Sequence, residues 1–110
     1  MAPAVLRIEG LPETPLDAAA AFFAEHVPAA RAALADAALL VLAFPAAGHE
    51  HRGWRLAAVQ ELAREAAPRR VNALAGGDDA AIAHAIAYLA AAPGVSGQLL
   101  AVDGKPGESE

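Results

Sequence analysis

The chain has no cysteine among its 110 residues. Without thiols it forms no disulfide, no thiolate nucleophile and no cysteine-ligated metal site. Lysine is nearly missing too, since Lys105 is the only one, and the formal net charge is −5 at pH 7. Recognition of a phosphate backbone needs clustered Lys and Arg side chains. Because Arg69 and Arg70 form the only basic pair, we expect no nucleic-acid partner.

Serines and long apolar runs are also scarce. Ser96 and Ser109 are the only serines, and neither lies in the sharp strand-to-helix turn that exposes a nucleophilic serine. The longest apolar stretch, around residues 37–47, is far shorter than the roughly 20 residues that cross a bilayer. The chain does not open on a basic segment followed by an apolar run, so we expect no signal peptide. These absences argue against serine hydrolysis and predict a cytoplasmic protein without a membrane span.

Alanine is abundant, at about three residues in ten. It favours helix, but each buried alanine removes little apolar surface from water. A chain of this length forms one domain, and an alanine-rich core in such a domain is small. Burying one face against a second chain would stabilise it, so we expect a homodimer or a heteromer.

Apolar patterning predicts strands that alternate with helices. Residues 38–44 are apolar without alternation, which is typical of a strand covered by helices on both faces. The predicted strands are residues 4–9, 38–44, 70–75 and 99–102, and the predicted helices are residues 15–35, 52–67 and 79–92. This order indicates an α/β fold with a parallel sheet and right-handed crossovers. We expect a single domain over residues 1–103 and a flexible polar tail over residues 104–110.

The first predicted helix, residues 15–35, has a proline in its interior. Pro28 lacks the N–H that would bond the carbonyl of Ala24, so we expect a kink or a split there. Apolar residues at three- and four-residue spacing predict one buried stripe along this helix. Its members are Leu16, Ala19, Phe23, Val27, Ala30 and Leu34.

Several short motifs resemble, in order, segments of the short-chain dehydrogenases/reductases. Arg70-Val71-Asn72-Ala73 followed by Gly76-Gly77 resembles that family's sixth strand and the loop after it. Two segments, Ile86–Leu89 and Ser96–Gly104, resemble the family's last helix and last strand. The end of its catalytic helix is resembled by Leu62–Glu65 with Ala67-Pro68. The start of its long helix after strand four is resembled by Glu13–Asp17 with Phe22-Phe23. The resemblance implies the C-terminal half of a Rossmann-like doubly wound fold.

The part of the family that binds the dinucleotide cofactor has no counterpart in this sequence. No Gly-rich phosphate turn connects a first strand to a helix. The Gly76-Gly77 turn is followed by Asp78 and Asp79, whose charges would repel a phosphate at the start of that helix. We therefore predict no cofactor.

The family's catalytic residues do not carry over either. Its serine falls on Pro45 and its helix asparagine on His26. Its tyrosine and lysine, four residues apart, should lie within residues 49–58, which hold Trp54 and Arg55 but neither Tyr nor Lys. A tyrosinate beside a lysine performs the proton transfer in this family, so the resemblance implies a chain with no catalytic residues.

The histidines are weaker candidates for chemistry. His49 and His51 flank Glu50 and could bind a metal, but two neighbouring loop ligands seldom suffice, and a solvated loop is the simpler interpretation. His26 follows Glu25, and adjacent helix residues point apart. His84 has no partner nearby in sequence, so we expect it to be exposed. No metal site is predicted.

Three functions remain open from the sequence. The first is a catalytically inactive pseudoenzyme that acts as an oligomerising or accessory subunit, for instance of a full-length member of the family. The second is a subunit of an NAD(P)-dependent oxidoreductase completed by a full-length partner, with His26 or the pair His49 and His51 doing chemistry. The third is a small-molecule binding module at the C-terminal ends of the strands.

An interface is the most specific prediction that follows. In the family, the counterparts of the first two helices pack against a partner subunit as a four-helix bundle. Strand 4–9 would also be a bare sheet edge. The residues expected at the helical interface are Phe22, Phe23, Val27, Trp54, Leu56, Val59 and Leu62.

Overall fold

A four-stranded parallel sheet organises the chain, and the computed structural model describes residues 2–102. The strands are β1 (Ala4–Arg7), β2 (Leu39–Phe44), β3 (Arg70–Ala75) and β4 (Leu99–Ala101), in that spatial order. All three neighbouring pairs are parallel. The predicted Rossmann-like half fold is confirmed, with β1 two residues shorter than expected. The predicted tail at 104–110 lies outside the described residues.

Strand β2 is the centre of the core. All six of its residues are buried, because helices cover both faces of the sheet. Strand β1 alternates between half-buried and exposed residues and forms an edge of the described sheet, as predicted.

The helices lie close to their predicted positions, with two differences. They are α1 (Pro15–Ala21), α2 (Val27–Leu34), α3 (Arg52–Ala66) and α4 (Asp79–Ala90). A π-helical turn, Phe22–His26, joins α1 to α2, so the predicted helix 15–35 is interrupted just before Pro28. A 3₁₀ turn, His49–His51, leads directly into α3, where the sequence predicted a solvated loop around these histidines.

The π turn changes which residues of the first helical segment are buried. The N–H of Val27 donates to the carbonyl of Phe22, five residues back, which inserts one extra residue into the helix. The buried stripe is therefore Ala18, Phe22, Val27, Ala30 and Leu34. The predicted stripe is wrong at Leu16, which is 86% exposed, and at Phe23, which lies within the π turn and is 50% exposed.

The core has two layers, one on each face of the sheet. One layer packs the first three helices against β1 to β3 and includes Phe22, Leu40, Leu42, Phe44, Val59 and Val71. The other packs α4 against the opposite face and includes Leu39, Val41, Leu74, Ile82 and Leu89.

The Arg-Val-Asn motif of β3 serves the fold. Arg70 Nη1 donates to the carbonyls of Leu89 and Ala92, at 3.0 and 2.8 Å. The fully buried Asn72 donates from Nδ2 to the carbonyl of Val95 at 2.9 Å and accepts from the N–H of Gln98 at 3.0 Å. These bonds hold the connection between α4 and β4 against the sheet.

Candidate functional site

A cavity opens beside the carboxyl ends of the strands, where parallel α/β sheets place their ligands. Its volume is about 210 Å³. We call it the arginine cavity, and its walls are Ala47, Gly48, His49, Arg52, Arg55, Ala75, Leu99 and Ala101. The loop after β2 and the start of α3 supply its polar side, and the ends of β3 and β4 supply its apolar side.

Arg55 is the most buried charged residue of this cavity, at 5% exposure. Its charge would favour the solvent face of α3, yet the side chain is buried. Its guanidinium carbon lies 4.6 Å from the centroid of the Phe44 ring, and Nη1 donates to the carbonyl of Pro45 at 3.0 Å. Its Nε is buried and has no hydrogen-bond partner within residues 2–102. Burial lowers the pKa of Arg55.

An aromatic cluster packs against the Arg55 guanidinium through the rings of Phe44 and Trp54. The rings of Phe22, Phe44 and Trp54 lie with centroids 5.5 to 5.7 Å apart. Such separations suit aromatic pairs that pack at an angle. Trp54 is half-buried and belongs to the core, so its ring fixes the first turn of α3 relative to β2.

The sequence suggested that His51 lies in a solvated loop, but His51 is buried and contacts the aromatic cluster through Trp54. Its Nδ1 accepts from the indole N–H of Trp54 at 3.0 Å, and its Nε2 lies 2.9 Å from the carbonyl of Glu13. Because an indole N–H can only donate, Nδ1 is the acceptor, and Nε2 is assigned as the donor to the Glu13 carbonyl. Both ring nitrogens are thus engaged.

The other histidines stand apart from this framework. His26 stacks on Phe22, with centroids 5.9 Å apart and an angle of 19° between the planes. His49 and His84 are exposed. Across the described part of the chain, no three His, Asp or Glu side chains are grouped so that they could hold a metal ion.

At the positions that match the family's catalytic serine and phosphate-binding helix start, the residues of this chain make hydrogen bonds within the fold. Pro45, at the serine position, offers only its carbonyl, which accepts from Arg55. At the start of α4, the carboxylate of Asp78 accepts from the N–H of Ala81 at 2.8 Å. This cap occupies the place where a phosphate would bind, and Asp79 adds a second negative charge that pairs with Arg7 at 3.4 Å.

A second depression, the helix groove, runs along the outer face of α2 and α3. Its volume is about 420 Å³. It is lined by Phe23, Val27, Arg31, Ala58, Glu61, Leu62, Arg64 and Glu65. Arg31 bridges the two helices with a bidentate pair to Glu65, at 3.0 and 2.9 Å. The hydrogen bonds and charge of this pair lower the pKa of Glu65 and raise the pKa of Arg31.

The residues predicted for an interface occupy different depths. Phe22, Val27, Val59 and Leu62 are buried in this chain's own core, and Trp54 and Leu56 are half-buried. Phe23 reaches the surface and lines the helix groove, whose floor includes Val27 and Leu62.

Comparison with known proteins adds a family. A family model described as short chain dehydrogenase-like protein matches residues 6–102. Neither the curated proteins nor the solved structures include a significant match to the chain. Within residues 2–102, the helices are too short or too polar to cross a membrane. The matched segment spans all four strands and all four helices except the first residues of β1, and the chain belongs to the short-chain dehydrogenase-like family.

Proposed function

We propose that this chain is a catalytically inactive short-chain dehydrogenase-like protein that acts as an oligomerising subunit. The observation that carries the proposal is the helix groove on α2 and α3. It combines a half-exposed aromatic ring with an apolar floor on the outer surface of the fold. Half-exposed aromatic side chains over apolar floors are typical of residues that anchor protein interfaces.

The charges of the groove favour a second copy of the same chain as the occupant. Arg31 and Arg64 line it together with Glu61 and Glu65. In a two-fold arrangement each patch faces its own copy, so a surface that carries both signs can pair plus with minus. A partner with a strongly basic or strongly acidic surface would meet like charges instead.

The small side chains of these helices support close packing. Ala58 lines the groove next to Leu62, and Ala57 is exposed on the same helix. Two α3 helices can approach closely where alanines meet. A second copy would cover the exposed half of the Phe23 ring, which removes apolar surface from water.

Catalytic inactivity rests on the positions that match the family's active groups. Pro45 carries no hydroxyl, and residues 49–58 carry neither tyrosine nor lysine. His51, the buried histidine within this segment, uses both ring nitrogens to hold Trp54 and the Glu13 carbonyl. A subunit that completes the active site of a full-length partner would need His26 or His49 instead, and His26 stacks on Phe22.

The test is the mass of the full chain in solution, measured by light scattering after size-exclusion chromatography at micromolar concentration. We expect a homodimer, and Phe23→Glu should give a folded monomer. Tyr88→Glu is the matched control, because Tyr88 is 56% exposed on α4, on the opposite face of the sheet. A wild-type monomer, or a dimer that survives Phe23→Glu, would contradict the proposal.

Titration with NADH and NADPH tests inactivity separately. We expect no saturable heat for the full chain, and binding in the micromolar range would contradict the pseudoenzyme proposal. Purification of the chain from its native host distinguishes a homodimer from an accessory subunit. A full-length family member would co-purify with an accessory subunit and would be absent from a homodimer.

A further inference from the structure

We propose that the arginine cavity binds a small monocarboxylate, with Arg52 and Arg55 holding the carboxylate and the apolar wall holding its short carbon chain. The inference is independent of oligomerisation, because the cavity lies at the strand ends and shares no lining residue with the helix groove.

The first reason is an incompletely bonded buried cation. Arg55 is 5% exposed, lines the cavity and makes one hydrogen bond, from Nη1 to the carbonyl of Pro45. A guanidinium has five N–H donors and no acceptor. Buried charges in proteins are normally paired with an opposite charge, and no carboxylate in residues 2–102 forms an ion pair with Arg55. A bound anion would supply the missing partner.

The second reason is the charge of the cavity wall. Arg52 is exposed at the first position of α3 and lines the cavity beside Arg55 and His49. None of the lining residues is acidic. The Glu50 carboxylate packs against Gly48, in the space that a side chain at position 48 would fill, and Glu50 does not line the cavity. A guanidinium presents its N–H donors in a planar fork that suits a carboxylate, and this wall carries two such groups.

The third reason is the opposite wall. Ala75, Leu99 and Ala101, from the ends of β3 and β4, carry only methyl and isobutyl side chains. A volume of 210 Å³ equals roughly seven times the share of one water molecule in the liquid. This suits a carboxylate with a chain of about three or four carbons, whereas a bare phosphate would leave the apolar wall without a contact.

The experiment is a titration of the full chain with butyrate, followed by amide chemical shifts in NMR spectra. We expect saturable shifts centred on residues 47–55 and 99–101. Butyramide has nearly the same shape without the charge, and it should bind at least tenfold more weakly because a charge-assisted pair is lost. Equal binding of butyramide, or phosphate binding as tight as butyrate, would overturn the assignment.

Two arginine variants complete the test. Arg52→Gln removes an exposed guanidinium without changing the core, and we expect it to weaken butyrate binding at least tenfold. Arg64→Gln is the matched control, because Arg64 lies on the same helix outside the cavity and pairs with Glu61. Loss of butyrate binding in Arg64→Gln, or its retention in Arg52→Gln, would contradict the proposed site.

Discussion

Arg55 Nη1 donates to the carbonyl of Pro45, while the guanidinium plane lies over the Phe44 ring, 4.6 Å from its centroid. These contacts only partly offset the cost of burying the charge, since Nε has no partner in the described residues. Burial lowers the pKa of Arg55, so the folded state disfavours the charged form. Because guanidinium stays protonated at every usable pH, this cost is present throughout and would diminish only at extreme alkaline pH.

We therefore predict that Arg55→Met raises the free energy of unfolding by about 1 kcal/mol, because it replaces a poorly paired buried cation by an apolar chain of similar length. Arg55→Ala should lower it by about 2 kcal/mol, because it also removes the packing of the stem. Urea denaturation monitored by Trp54 fluorescence measures both. Arg64→Met is the control and should stay within about 0.5 kcal/mol of wild type. A destabilised Arg55→Met variant would show that the cation contacts outweigh desolvation.

Asn72 provides a second stability test. Asn72→Ala leaves the part-buried N–H of Gln98 without its partner and removes the shorter of two hydrogen bonds to the Val95 carbonyl, which keeps the bond from Arg70. We expect a loss of about 2 kcal/mol, since an unpaired buried group costs about 1 to 3 kcal/mol. Gln98→Ala keeps the same backbone bond and removes only an exposed side chain, so it should change stability by less than about 0.5 kcal/mol. Equal effects of the two variants in chemical denaturation would contradict this role of Asn72.

The π turn predicts a specific pattern of helix substitutions. Phe22→Ala should cost about 4 kcal/mol, because the ring is fully buried among Phe44 and Trp54. Leu16→Ala should change stability by less than about 0.5 kcal/mol, because Leu16 is 86% exposed. Thermal and urea unfolding of the two variants measure this contrast. An uninterrupted α-helix that buries Leu16 would reverse it.

The strands and their alternation with helices along the chain were predictable, because the apolar patterns that mark them are local and repeated. Residues 38–44 read as a doubly covered strand, and β2 is buried at every position. The Arg-Val-Asn motif was recognisable because Arg70 and Asn72 make specific bonds that fix a loop, and those bonds require these side chains.

The buried stripe of the first helix was not predictable by periodicity. The buried residues Phe22 and Val27 are five positions apart, which breaks the 3.6-residue period of a regular α-helix. Pro28 gave the only warning, because a proline inside a helix must displace the carbonyl four residues before it. The sequence showed that the helix would be disturbed but not that the disturbance would be an insertion of one residue.

Arg55 was not predicted as a site residue, because a charged side chain on a helix is usually exposed. Its position did carry a signal, since Arg55, Val59 and Leu62 recur at the three- and four-residue spacing of a buried helix face. The Arg55 guanidinium lies near two aromatic rings, those of its sequence neighbour Trp54 and of Phe44. Phe44 belongs to β2, and no local pattern places it against α3.

The pair of Arg31 and Glu65 predicts an acid-dependent change in stability. Hydrogen bonding from Arg31 lowers the pKa of Glu65 in the folded state, so the pair stabilises the fold above the ordinary Glu pKa. That contribution is lost as the pH falls through the lowered folded pKa and the carboxylate becomes protonated. Wild type and Glu65→Gln should therefore differ in stability at about pH 6 and converge towards about pH 3.

Urea denaturation of both chains across this pH range measures the difference, and added salt should reduce it because both side chains are exposed. Glu61→Gln is the matched control, since Glu61 pairs with Arg64 on its own helix and shows no cross-helix bond. Its difference from wild type should depend less on pH. If the dimer forms through the helix groove, Glu65→Gln should also weaken the dimer at neutral pH. A pH-independent difference between wild type and Glu65→Gln would show that the ion pair does not link α2 to α3 in solution.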